Sequence, residues 1–98
     1  MLPDTAMALA IRHLPGERRF AADIHGATAY ATYREREDRI LDLDHTFVPV
    51  ALRGRGIASQ LTAHALAFAR AGGYRVVPSC PFVAAYIRRH PEYRDLLA

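Results

Sequence analysis

The hydrophobic period of this chain changes once, at Pro49, and that change decides most of what the chain can fold into. Ahead of it, three stretches alternate. Over Arg19–Ile24 the apolar residues Phe20, Ala22 and Ile24 face one way. Ala27–Arg34 puts Ala29, Ala31 and Tyr33 on one face and Tyr30 and Thr32 on the other. Ile40–Val48 sets Leu41, Leu43, His45 and Phe47 opposite Asp42, Asp44 and Thr46. The links, at Gly26 and over Glu35–Asp38, are too short for crossovers, so the spacing predicts an antiparallel meander. A mildly apolar stretch, Ala8–His13, reads as a further short strand ending at the turn Pro15-Gly16.

Beyond Pro49 the apolar residues Ile57, Leu61, Ala65, Phe68 and Ala69 follow helical spacing, and Gly72-Gly73 supplies a stop. Tyr74–Val77 is a short strand. Pro81 suits the first turn of a second helix, whose apolar positions are Val83, Tyr86 and Ile87. That helix should end near Arg89 or His90, because Pro91 restricts the residue before it. The tail, Pro91–Ala98, is expected to dock Tyr93, Leu96 and Leu97. The order is β-β-β-α-β-α, an α/β fold with a mixed, mainly antiparallel sheet and helices packed on it.

A chain of 98 residues is expected to form one domain over 1–98, with residues 1–7 as a loose terminus. At this length about 60–65% of the unfolded surface is buried, enough for one modest core. Hydrophobic residues at 51% against charged residues at 23% exclude a disordered chain. No apolar run could span a bilayer, and Met1–Ala10 lacks a basic leader, so a soluble cytoplasmic protein is expected. The lone cysteine, Cys80, rules out an internal disulfide. All thirteen basic side chains behind the net charge of +3 are arginine, whose planar fork suits phosphate.

The segment from Val48 to Ala58 leaves a strand and enters a helix. First-turn amides of a helix lack intrahelical acceptors, and the macrodipole places positive charge there. Gly54 and Gly56 let the backbone approach an anion, Arg53 and Arg55 add charge at the rim, and Ala58 is small. Physics alone leaves two readings open: an anion site, or a tight turn flanked by solvated arginines. A Walker loop is excluded by the missing Gly-Lys-Ser/Thr ending, and a dinucleotide fingerprint by the missing third glycine.

Arg53-x-x-Gly56-x-Ala58 resembles the Gln/Arg-x-x-Gly-x-Gly/Ala signature of the GNAT acetyltransferases. His45-Thr46-x-Val48, Gly54-x-Gly56-Ile57, Pro78-x-Cys80-Pro81-Phe82 and His90-Pro91-Glu92-Tyr93 together resemble the short YjdJ-type GNAT-like proteins. The likeness runs from about Phe20 to the C-terminus. It implies a minimal GNAT-like fold that binds acetyl-CoA (coenzyme A) as co-substrate, with no metal. The backbone of Thr46, Phe47 and Val48 would flank the pantetheine arm. The amides of Gly54, Arg55, Gly56, Ile57 and Ala58, with Arg53 beside them, would hold the pyrophosphate.

Two residues are then candidates for catalysis. Cys80 is expected at a helix N-terminus, where a thiolate is stabilised, with Ser79 sharing the capping role. It either accepts the acetyl group or positions the acceptor; the plainer reading is a small buried cysteine. His45 would take a proton from an attacking amine or from Cys80, unless it packs with Leu41, Leu43 and Phe47. Tyr86 is a weaker candidate proton donor, better explained as core. His13, His25, His64 and His90 show no ligand spacing, and His90 reads as a helix terminator. Asp42 and Asp44 read as a solvent face.

The function expected is acetyl transfer to an amine, a small one or a protein lysine or N-terminus. The alternative is a CoA-binding or sensor module without turnover, since most GNAT domains carry early helices that help form the acceptor site. A nucleic-acid partner ranks last: Arg34, Arg36 and Arg39 alternate with Glu35, Glu37 and Asp38, while Glu92 and Asp95 dilute Arg88, Arg89 and Arg94. An open edge strand leaves a monomer or a weak homodimer.

Overall fold

The computed structural model describes residues 9–98. The loose terminus expected over residues 1–7, and Ala8 of the first expected strand, lie outside them. The elements are β1 (Arg12–Leu14), β2 (Arg19–Ile24), β3 (Ala27–Arg36), β4 (Ile40–Phe47), α1 (Ile57–Ala71), β5 (Arg75–Val77) and α2 (Pro81–Arg89). Short 3-10 helices cover Pro15–Glu17, Val50–Leu52 and Pro91–Leu96. The strands form one sheet in the order β1-β2-β3-β4-β5; the first four run antiparallel, and β5 lies parallel to β4. The meander is as the alternation predicts, and β1 adds a strand that is shorter and later than the expected one. A two-residue turn, His25-Gly26, joins β2 to β3 with both φ values positive, which matches the twist of a hairpin.

One sheet face carries the core. Phe20, Ala29, Ala31, Tyr33, Leu41, Leu43 and Val76 meet Ile57, Leu61, Ala65, Leu66 and Ala69 of α1, and Val83 and Ile87 of α2. Phe20, Leu41, Leu61, Leu66 and Val76 are wholly buried. Each full aliphatic or aromatic side chain removed from water in this way stabilises the fold by about 1.5–3 kcal/mol. Leu96 is buried beneath the tail, Leu97 bridges Val76, and the Ala98 N–H donates to the Val76 carbonyl at 3.0 Å. The docking expected for Tyr93, Leu96 and Leu97 is present.

Two features of β4 depart from simple alternation. Thr32 pairs with His45 whereas Tyr33 pairs with Leu43, so Asp44 is an extra residue without a partner on β3: a β-bulge. Since side chains alternate with period two, one extra residue inverts everything after it. Leu41 and Leu43 face the core as expected, but His45 and Phe47 are exposed on the opposite face, near Tyr30. The expectation that His45 and Phe47 share a face with the leucines is thereby corrected. Asp42 is corrected too: it is 3% exposed, not part of a solvent face, and pairs with Arg36 at 2.6 Å.

Candidate active site

β5 accompanies β4 only from Ile40 to Asp42. After Val77 the chain turns, and the Cys80 N–H reaches back to the Leu43 carbonyl at 2.9 Å. Beyond Leu43, therefore, β4 has no strand on its β5 side. The two strands part like an open V, and α2 starts at its fork.

A cleft of about 620 Å³ occupies the opening. The end of β4 forms one wall through His45, Thr46, Phe47 and Val48. The glycine loop and the first turn of α1 form another, through Arg53, Gly54, Gly56, Ile57, Ala58 and Ser59, while Leu52 and Phe82 complete it. Among the described residues, Phe47 and Phe82, each 37% exposed, and Val50, 75% exposed, are the large apolar side chains left in water. Phe47 and Phe82 lie on the cleft wall itself.

Gly56 caps α1 with φ 76°, and Gly54 has φ 82°. Both values belong to the left-handed region that disfavours a side chain. Open space lies where a Cβ would project at either position, so conformation rather than crowding selects glycine. A glycine cap brings no side chain to satisfy the first-turn amides of α1, which leaves them to the cleft. One turn further on, the buried Thr62 hydroxyl donates to the Ala58 carbonyl at 2.8 Å. Arg53 does more than add charge: its Nε donates to the Val48 carbonyl at 2.9 Å and ties the loop to the strand end. Arg55 is exposed and stands outside the cleft wall.

Cys80 is the N-cap residue of α2 and 5% exposed. Its thiol lies 3.7 Å from the Thr46 hydroxyl. His45 lies on the far side of the bulge, its ring 6.2 Å from that of Tyr30. The two catalytic candidates are thus on opposite faces of β4. Tyr86 is drawn away from the cleft, with its ring stacked 4.0 Å from His90. Burial, aided by Tyr93 and Glu92, raises its phenol above the ordinary value. His90 terminates α2 as expected, and its Nδ1 bonds the Tyr86 carbonyl at 2.8 Å. Among the described residues, no group of three or more His, Cys, Asp or Glu is placed to hold a metal ion. No helix among them is long and apolar enough to cross a membrane.

Asp42 sits at the fork. Its Oδ2 accepts from Arg36, while Oδ1 is buried without a donor at hydrogen-bonding geometry. Burial opposes ionisation, yet the Ser79 hydroxyl and the Arg36 guanidinium outweigh it and lower the carboxyl below its ordinary value. Ser79 therefore stands close enough to favour the carboxylate without closing a full bond to Oδ1. The cap of α2 has no side-chain hydrogen bond, so Ser79 does not fill the capping role expected of it.

Leu52 and Ser59 were not among the residues sequence reasoning selected. Leu52 sits in a 3-10 turn without periodicity, and Ser59 looks like any solvated first-turn residue.

Comparison with known proteins bears on the family and the fold. The model of the GCN5-related N-acetyl-transferase family matches residues 19–96. Protein NATD1 of Bos taurus is 32% identical over 91 residues, covering 91% of this chain and 80% of that protein. Protein NATD1 of Homo sapiens is 33% identical over 85 residues, covering 85% and 75%. A GCN5-like protein of Staphylococcus aureus, solved by NMR in solution, superposes with a TM-score of 0.73 at 27% identity, over 92% of this chain and 88% of that one. By the family match, by these relatives and by the shared five-stranded fold, the chain belongs to the GCN5-related N-acetyltransferases, a family that uses acetyl-CoA as co-substrate.

Proposed function

We propose that this chain binds acetyl-CoA in the cleft between β4 and the glycine loop and transfers the acetyl group to an amine. The observation that carries the reading is the shared cleft: the strand end Thr46–Val48 and the loop and helix-start residues Gly54, Gly56, Ile57 and Ala58 line one opening. The first-turn amides of α1 and the loop amides from Gly54 to Ala58 bind the pyrophosphate. The edge of β4 left bare beyond the V lies along the pantetheine arm. That path ends at Thr46, with the Cys80 thiol beneath it.

In transfer, the amine nitrogen attacks the thioester carbonyl carbon. The C–N bond forms, the C–S bond breaks, the proton given up by the amine nitrogen is passed on through His45 to the leaving sulfur, and strand amides near Phe47 and Val48 stabilise the oxyanion. Direct attack accords better with the burial of Cys80 than an acetyl-cysteine does. In this reading Cys80 supports Thr46, and His45, exposed on the outer face, is the candidate to receive the amine proton.

The test is calorimetric titration with acetyl-CoA and CoA of the wild type and of Ala58→Glu, which sets a carboxylate where the pyrophosphate is placed. Binding by the wild type, weakened at least about tenfold in a folded Ala58→Glu variant, supports the reading. A wild type that gives no binding heat at millimolar acetyl-CoA sinks it.

A further inference from the structure

A second apolar recess, of about 310 Å³, lies on the other side of α2. Pro78, Ala84, Ile87 and Leu97 form its apolar surface, and Arg88 and Arg94 are its charged members. At about 100° per residue, Ala84, Ile87 and Arg88 lie roughly 120–160° around the helix from Phe82, the α2 residue of the acetyl-CoA cleft. The two openings are therefore separate.

Neither guanidinium forms an ion pair or hydrogen bond among the described residues. The nearby acid Asp95 is already engaged by Arg70 at 2.8 Å. Arg88 alone is explained by the C-terminal dipole of α2. Arg94 is not: it comes from the following 3-10 helix, a different element, onto the same apolar floor.

We infer that this recess binds a small carboxylic acid with an aliphatic body. Its volume is at the lower end for a small-molecule site, about 300–1,000 Å³, and too small for an extended peptide. The apolar floor takes the hydrocarbon, and the guanidinium forks take the two carboxylate oxygens in the planar geometry that suits them. A phosphate without an apolar body leaves the floor unfilled. The inference does not depend on the acetyl-CoA reading.

The experiment is an NMR titration of the full chain with hexanoate, with hexanol and inorganic phosphate as controls. Hexanoate is expected to move the resonances of Ala84, Ile87 and Leu97 saturably in the millimolar range. Hexanol, and hexanoate with Arg88→Gln/Arg94→Gln, should bind about tenfold more weakly or worse. Both arginines are exposed and unpaired, so the variant's spectrum should otherwise match the wild type. Four results each overturn the proposal: no saturable shift with hexanoate, hexanol or phosphate binding as well as hexanoate, shifts centred on Phe47 and Phe82, or the same resonances moving on dilution of the protein alone. The last would place a second copy of the chain in the recess.

Discussion

The Cys80 thiol lies 3.7 Å from the Thr46 hydroxyl, and so joins the start of α2 to β4 just beyond the bulge. With the Cys80 N–H held by the Leu43 carbonyl, this contact sets the spacing between the two arms of the V. If Cys80 acts by supporting Thr46, Cys80→Ser should keep most of the activity, since a hydroxyl replaces a weak donor with a stronger one. Cys80→Ala should lower acetyl transfer about tenfold while the Kd for acetyl-CoA changes little. Steady-state kinetics on both variants decides: equal and complete loss in Ser and Ala would instead point to thiol chemistry.

Gly56→Ala puts a Cβ at φ 76° with no steric obstacle around it. The cost is conformational, about 1–2 kcal/mol, because the left-handed region is unfavourable for an L side chain. The urea midpoint should fall accordingly. Acetyl-CoA affinity should fall with it, since relief of the strain rotates the amides that open α1. A variant of unchanged midpoint would mean that the turn had relaxed.

Stability should have a plateau bounded on both sides. The Tyr33 hydroxyl and His13 Nε2 are 2.6 Å apart, and the His13 ring stacks 4.4 Å from Phe20. Burial, then the charge of His64, lowers His13 below its ordinary 6.5, while Glu35 pulls the other way. The folded state thus binds fewer protons than the unfolded one, and stability falls as pH drops below 6.5 toward the folded value. Burial, then Glu35 and Tyr74, raises Tyr33 above 10.0 against the opposing Arg18, so stability is lost again as pH rises past 10.0. Urea midpoints across pH should show both limbs. His13→Asn should remove the part of the acid limb that begins below 6.5, and Tyr33→Phe should keep it, because burial is the larger cause.

Asp42 makes a different prediction. Replacing it with Ala leaves Arg36 without its partner, but that guanidinium is largely solvated, so the loss should be about 1–3 kcal/mol, toward the lower end. The carboxyl is lowered in the fold, so its stabilisation is complete above 3.8 and fades as pH falls through the folded value. Thermal melts of Asp42→Ala and Asp42→Asn at neutral and acid pH test this. Parallel melting curves at every pH would contradict it.

What the sequence disclosed followed from how repetitive each signal was. Ala29, Ala31 and Tyr33 repeat cleanly, and their buried face was readable. Helical spacing from Ile57 to Ala69, with Gly72-Gly73 behind it, marked α1. The bulge was hidden because Leu41, Leu43 and Phe47 continue the apolar beat across it; only pairing with β3 shows that Asp44 is supernumerary. Asp42 looked solvated since nothing local foretells Arg36 and Ser79 closing over it. The glycine loop was legible as a strand-to-helix turn, with an anion site as one of its two readings, yet the tie from Arg53 to Val48 depends on two segments meeting in space.

Because Asp44 shifts the parity of β4, the strand carries two incompatible registers end to end: one writes the core, the other writes the cleft. A substitution at Thr46 or Phe47 changes one letter. Losing or gaining a single residue between Leu43 and Thr46 would turn Thr46 away from Cys80 and bring the outward side chains His45 and Phe47 toward it. The site should therefore accept diverse side chains along this strand while its residue count stays fixed.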